Sequence, residues 1–161
     1  MPAAMHSEYL RRCYLRNELA VGRYPVEGQA VSLADIRQPI FLVGTEKDHV
    51  SPWRSVYKLH RLTQAELCFV LASGGHNAGI VSEPGHAGRR YAMHTRRRGD
   101  PVPDADAWQA RASRHDGSWW SAWHGWLLQH GSGTQRPARA IPEAVALADA
   151  PGEYVLQRYD D

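Results

Sequence analysis

Two short loops carry the side chains best suited to chemistry. The first, Thr45 to Val50, holds Glu46, Asp48 and His49, and the second, opened by Ser73-Gly74-Gly75, holds His76 and Asn77. A carboxylate beside an imidazole has a definite use. It fixes the ring tautomer, leaves the other ring nitrogen free to accept a proton, and stabilises the imidazolium that forms. Asp48 is preferred to Glu46 as the acid because it lies nearer the start of the next helix, and His76 is the candidate base. Spacing alone leaves a purely structural hydrogen bond between them as the alternative. His49 and Asn77 are the candidate substrate contacts; their plainer roles are to shape the acid loop and to hold the loop of the base.

An acid and a base need a nucleophile to serve, and the sequence offers poor ones. Cys13 lies on a predicted helix and Cys68 in the middle of a predicted strand, Leu67-Cys68-Phe69. Both read as packing residues, since a buried thiol behaves as a small hydrophobe. Two cysteines form no disulfide framework and match no zinc spacing. His86, His94, His115, His124 and His130 show no paired ligand spacing either, so no metal is expected. Trp119, Trp120, Trp123 and Trp126 most simply pack a helix onto a sheet. An aromatic platform for a polymer chain would need those rings exposed together.

The elements around the two loops predict how they meet. Ile40 to Val43 is an unbroken apolar run closed by Gly44, which suits a strand covered on both faces. Ser51-Pro52 then reads as a helix start, serine at the cap and proline at the first helical position, with Trp53, Val56, Leu59 and Leu62 along the helix. Leu67 to Leu71 is a second apolar run. Strand, helix, strand makes one right-handed βαβ unit, so both loops fall at the same edge of a parallel sheet, where reactive groups of α/β proteins gather. Elsewhere the spacing predicts a helix from Ser7 to Ala20, capped by Ser7 and stopped by Gly22, and a short helical turn over Ser32 to Ile36. A surface loop is expected over Glu83 to Asp106, a helix from about Ser118, a linker over Gly131 to Glu143, and an extended piece at Tyr154 to Leu156. The run Arg96-Arg97-Arg98 reads as a solvated loop.

Composition closes off other classes. At 161 residues there is room for one domain of ordinary size, and 43% hydrophobic with 22% charged residues is globular, not disordered. Nineteen basic against seventeen acidic residues is too balanced to imply a nucleic-acid surface. No apolar run approaches the ~20 residues of a transmembrane segment, and the N-terminus lacks the pattern of a signal peptide. A reducing compartment is expected. Two convincing parallel strands cannot enclose much core, so the chain reads as the end of a larger α/β domain.

Longer strings carry a resemblance. Gly44-Thr45-Glu46-Lys47-Asp48-His49-Val50-Ser51-Pro52-Trp53 and Ser73-Gly74-Gly75-His76-Asn77-Ala78-Gly79-Ile80 closely resemble the poly(3-hydroxyalkanoate) synthases, particularly the single-subunit class I type. Glu8 to Arg12, Asn17 to Leu19, Arg54 to Lys58, Gly117 to Trp120 and Ala150 to Leu156 add further matches, and the 28-residue separation of Asp48 and His76 fits that family's acid and base. The resemblance implies an incomplete α/β-hydrolase fold (its last parallel strands and flanking helices only). Residues 5–35 would be the end of a cap region, 36–130 the C-terminal part of the catalytic domain, and 131–161 a linker and C-terminal tail. It further implies a Cys-Asp-His triad acting on (R)-3-hydroxyacyl-CoA and a growing polyester, without a cofactor, at the surface of polyester granules in the cytoplasm. Asp48 would be the triad acid and His76 the general base. The family's Gly-x-Cys-x-Gly elbow is missing from the sequence, and with it the attacking thiol. The chain alone is therefore expected to be inactive, and to work as a homodimer or with a nucleophile-bearing chain. Two other readings stay open: a fragment of an esterase or depolymerase using serine, and a non-catalytic remnant that binds polyester or a full-length synthase. The opening Met1-Pro2-Ala3-Ala4-Met5, directly before family-like sequence, suits a chain begun inside a longer gene.

Overall fold

The computed structural model describes residues 1–135, 137, 139, 142 and 147–158. Its elements begin with helix α1 (Ala3–Tyr9), which continues as a π-helical stretch, Leu10–Leu15, and a hairpin of β1 (Tyr24–Val26) and β2 (Gln29–Val31). A 3₁₀ turn, Leu33–Asp35, leads to β3 (Ile40–Thr45), α2 (Trp53–Tyr57), α3 (Leu59–Leu62) and β4 (Leu67–Ala72). Then come β5 (Arg90–Arg96), α4 (Ala105–Arg111), β6 (Ser113–Asp116) and α5 (Trp119–His130). The chain divides into two units, Met1–His130 and Gly131–Asp161, and the second contains the 3₁₀ turn Tyr154–Leu156.

Alternation along β4 explains how the first unit is layered. Successive side chains of a strand point to opposite faces. Leu67, Phe69 and Leu71 therefore join Tyr57, Trp108 and Ala112 on one side, beneath α2, α3 and α4. Cys68, Val70 and Ala72 join Trp119 on the other side, beneath α5. Strand β3 divides in the same way: Ile40 and Leu42 face the first cluster, Phe41 and Val43 the second. All six residues of β4 are buried. Each of its larger apolar side chains contributes about 1.5–3 kcal/mol by leaving water.

The sheet is mixed. Its order is β3-β4-β5-β6, with β3 and β4 parallel and the remaining pairs antiparallel. The expectation of parallel strands only is thus corrected, and so is the single surface loop over Glu83 to Asp106, which contains β5. Its sequence, Arg90-Tyr91-Ala92-Met93-His94-Thr95-Arg96, has a small apolar stripe and charged ends, and its pairing with the buried β4 compensates for that. Arg96 is corrected too. It is 3% exposed, and its Nη2 donates to the carbonyl oxygens of Thr63 (3.1 Å) and Ala65 (2.7 Å), which a buried turn would otherwise leave unpaired.

Smaller corrections follow from local hydrogen bonding. The first helix starts at Ala3, and the stretch ends at Leu15, before Asn17 takes a left-handed conformation (φ 51°); neither Ser7 nor Gly22 bounds it. Helix α2 begins at Trp53 with Pro52 in the cap position and no side-chain cap bond, so Ser51 is not its cap and Pro52 is not its first helical residue; the backbone N–H of Ser51 donates to Asp48. Ser32 does cap its 3₁₀ turn, accepting from the N–H of Ala34 at 3.2 Å. Tyr154–Leu156 is a 3₁₀ turn, not an extended piece. The linker expected over Gly131 to Glu143 lies in part outside the described residues.

His60 shows what the core tolerates. It is 1% exposed, its ring lies 4.3 Å from that of Tyr57 at a 42° tilt, and neither ring nitrogen finds a hydrogen-bond partner among the described residues. Burial, then the charges of Arg96 and His94, lower its pKa to about 4. The unfolded chain, with an ordinary histidine near 6.5, binds that proton more readily, so stability is lost as pH falls from about 6.5 towards 4. Urea unfolding at pH 7 and pH 5 should show this loss, and His60→Phe, which keeps a ring in the aromatic cluster, should make the loss smaller.

Candidate functional site

The parallel pairing of β3 and β4 ends in register, Thr45 opposite Ala72, so both following loops leave from the same level of the sheet. The loops are then tied to one another. The N–H of Glu46 donates to Ala72 O and that of Lys47 to Gly74 O, each at 2.9 Å. Gly74 sits at φ +105°, a conformation open to glycine, and turns the second loop back over the first.

Those ties bring Asp48 and His76 together. His76 Nδ1 lies 2.9 Å from Asp48 Oδ2. The other carboxylate oxygen accepts from two backbone donors, Val50 N–H at 2.9 Å and Ser51 N–H at 2.7 Å, and Thr45 Oγ1 stands 3.4 Å from Oδ2. The bond from Ser51, followed by those from His76 and Val50, holds the carboxyl at about 2, although burial works in the opposite direction. Asp48 is thus ionised at neutral pH and can only accept. The hydrogen between the two residues therefore belongs to Nδ1, and in the neutral ring Nε2 keeps its lone pair. The Asp48 side chain is 8% exposed and that of His76 47%, so a shielded carboxylate backs an accessible imidazole.

Glu46, the rival carboxylate, turns away and pairs with Arg90 at 2.9 Å. His49 and Asn77 are exposed, and neither side chain makes a hydrogen bond among the described residues; the carbonyl of Asn77 accepts from Ile80 and Val81. Cys68 is buried mid-strand, where desolvation pushes its thiol up, and Cys13 is half-buried on the π-helical stretch. Of the tryptophans, Trp119 is buried, Trp120 and Trp126 are half-buried, and Trp123 is exposed, so the rings do not form one open platform. Among the described residues no group of three or more His, Cys, Asp or Glu could hold a metal ion, and no helix is long and apolar enough to cross a membrane.

Two contributors were not found by sequence reasoning. Thr45, 1% exposed, supports the acid. Gly79 closes the turn around His76, its N–H donating to Gly75 O at 2.9 Å. A Cβ at Gly79 would stand 2.8 Å from Thr45 Cβ and 2.9 Å from Gly75 O, so only glycine lets the two loops approach this closely. The string Gly-Gly-His-x-x-Gly was the available signal.

Comparison with known proteins gives a consistent set of relatives. The chain is 36% identical over 158 residues to the poly(3-hydroxyalkanoate) polymerase subunit PhaC of Rhizobium meliloti (strain 1021), covering 98% of this chain and 25% of that protein. It is 40% identical over 162 residues to the poly(3-hydroxyalkanoate) polymerase of Methylorubrum extorquens, covering 98% of this chain and 26% of that one. Against the subunit PhaC of Cupriavidus necator the identity is 36% over 159 residues, with 96% and 26% covered. The chain thus spans about a quarter of the length of the curated relatives it matches. No family model matches it.

Because the carboxyl of Asp48 titrates near 2 when folded and near 3.8 in its ordinary state, its bonds favour the folded loop fully above pH 4 and lose that effect as pH falls towards 2. The Nδ1 proton of His76 should give a hydrogen-bonded NMR signal at neutral pH that persists to about pH 4, and Asp48→Asn should weaken it throughout.

Proposed function

We propose that this chain, homologous throughout to about a quarter of the length of poly(3-hydroxyalkanoate) polymerases, is a portion of such an enzyme and supplies the acid and base of its acyl transfer. In this reading residues 36–130 are the last part of an α/β-hydrolase-type catalytic domain that is incomplete here, residues 5–35 the end of its cap, and residues 131–161 a linker and tail. The observation that carries the reading is the 2.9 Å contact of His76 Nδ1 with the shielded, ionised Asp48, which leaves Nε2 of the half-exposed ring without a hydrogen-bond partner among the described residues.

The chemistry follows from that arrangement. His76 Nε2 takes the proton of a cysteine thiol brought by sequence outside this chain, because a thiol with a pKa near 8.5 is mostly protonated at neutral pH. The thiolate attacks the thioester carbonyl of (R)-3-hydroxyacyl-CoA; the C–S bond to CoA breaks, and CoA leaves with the proton held by His76. In elongation Nε2 removes the proton of a 3-hydroxyl, whose oxygen attacks the acyl-cysteine carbonyl. An ester forms and the thiolate is released. Asp48 holds the ring in one tautomer and offsets its positive charge at each transfer. The reaction needs no further cofactor. It belongs to the cytoplasmic surface of polyester granules, with a second copy or a cysteine-bearing chain as partner.

Cys68 does not replace the missing nucleophile, since burial in the sheet keeps its thiol protonated. The isolated chain should release no CoA from 3-hydroxybutyryl-CoA in a thiol-release assay, and addition of the cysteine-bearing remainder of a polymerase should restore release. In that reassembled enzyme Asp48→Asn should lower turnover by about 10⁴-fold, the scale seen when a triad acid becomes an amide. Turnover by the isolated chain, or full activity of His76→Gln after reassembly, would overturn the assignment.

A further inference from the structure

We propose that the first turn of α5 is a clasp that sets the position of His76, with Trp119 as its principal positioning residue; this rests on the reading of His76 as a general base. Three consecutive side chains donate to carbonyl oxygens of the segment just beyond His76. Ser118 Oγ donates to Ser82 O, Trp119 Nε1 to Gly79 O at 3.0 Å, and Trp120 Nε1 to Ile80 O at 2.9 Å. Ser118 Oγ also accepts from the N–H of Trp120 at 3.0 Å, which locks the first turn of the helix to its own cap.

The clasp acts at the point where displacement would matter most. Gly79 closes the turn around His76 through its N–H on Gly75 O, and its carbonyl is held by Trp119. On its other side Gly79 lies against Thr45, whose hydroxyl reaches the carboxylate of Asp48. The turn carrying the base is therefore pressed between Trp119 and the residue that supports the acid. Trp119 is itself fixed, 8% exposed and stacked at 6.3 Å on Phe41 of β3, the strand that leads to Asp48. One indole thus ties the base's loop to the acid's strand.

Packing alone does not account for this arrangement. A buried indole N–H and a loop carbonyl each need a partner, and here each is the other's. Trp119→Phe keeps a ring in the hydrophobic cluster and removes only that bond, leaving the Gly79 carbonyl without its donor.

The test uses the full 161-residue chain labelled with ¹⁵N-histidine, with the His76 signals assigned by comparison with His76→Gln. The wild type should show a single Nδ1–H tautomer. Trp119→Phe should lose that signature and approach the tautomer mixture of a free imidazole, with cooperative thermal unfolding retained. Trp120→Phe, whose bond lies one residue further from His76, should show a weaker form of the same change. If Trp119→Phe fails to fold, Trp120→Phe and Ser118→Ala decide the matter. Variants that fold with His76 signals unchanged would overturn the clasp and leave the acid–base assignment standing. A wild-type His76 with no single-tautomer signature would overturn both.

Discussion

Everything at the site depends on two strands ending at the same level. Six consecutive pairs hold β3 parallel to β4, and the last of them sets Thr45 beside Ala72. Asp48 is three residues past one strand end and His76 four past the other. A shift of one residue in that register would turn every side chain of a strand to the opposite face. It would move Leu67, Phe69 and Leu71 out of the cluster built around Trp108, so the core that stabilises the sheet also fixes the spacing of Asp48 and His76.

A carboxylate shielded from water must be compensated, or it will take up a proton instead. Asp48 receives donors from Val50, Ser51 and His76, with the Thr45 hydroxyl close by. Two of these are backbone N–H groups two and three residues further along the chain, so the carboxylate is held in part independently of the imidazole. Glu46, only two residues away, is withdrawn by Arg90, which leaves one carboxylate facing the ring. The division of labour between two neighbouring acids is made by one arginine on an antiparallel strand.

How much of this could be read from the residues depended on how local the cause was. The runs Ile40 to Val43 and Leu67 to Leu71 announce buried strands, and the crossover between them follows from chain handedness, so the shared edge for Asp48 and His76 was legible. The choice of Asp48 over Glu46 rested on position alone; the geometry that separates them involves Arg90, 44 residues from Glu46. Strand β5 was missed because its alternation is diluted by Arg90, His94 and Arg96 and becomes favourable only beside β4. Arg96 read as solvated because nothing nearby in sequence shows that Thr63 and Ala65 present carbonyls to it. Ser51 fits a helix cap in isolation, yet α2 starts one residue later, with Pro52 in the cap position.

The antiparallel return of β5 has a consequence for what the molecule can absorb. The segment between Ser73 and Arg90 leaves and re-enters the sheet at one place, its feet joined by Ser73 N–H on Arg90 O and Arg90 N–H on Ser73 Oγ. Its near half is fastened as far as Ser82, while Glu83 to Gly88 is exposed throughout and bonded mainly within itself, as in His86 with Glu83. Lengthening a closed loop costs little, about 0.6 kcal/mol for each doubling. That tip is accordingly the place where a tag, a reporter or an evolutionary insertion can be accepted while the machinery at the base of the loop stays as it is.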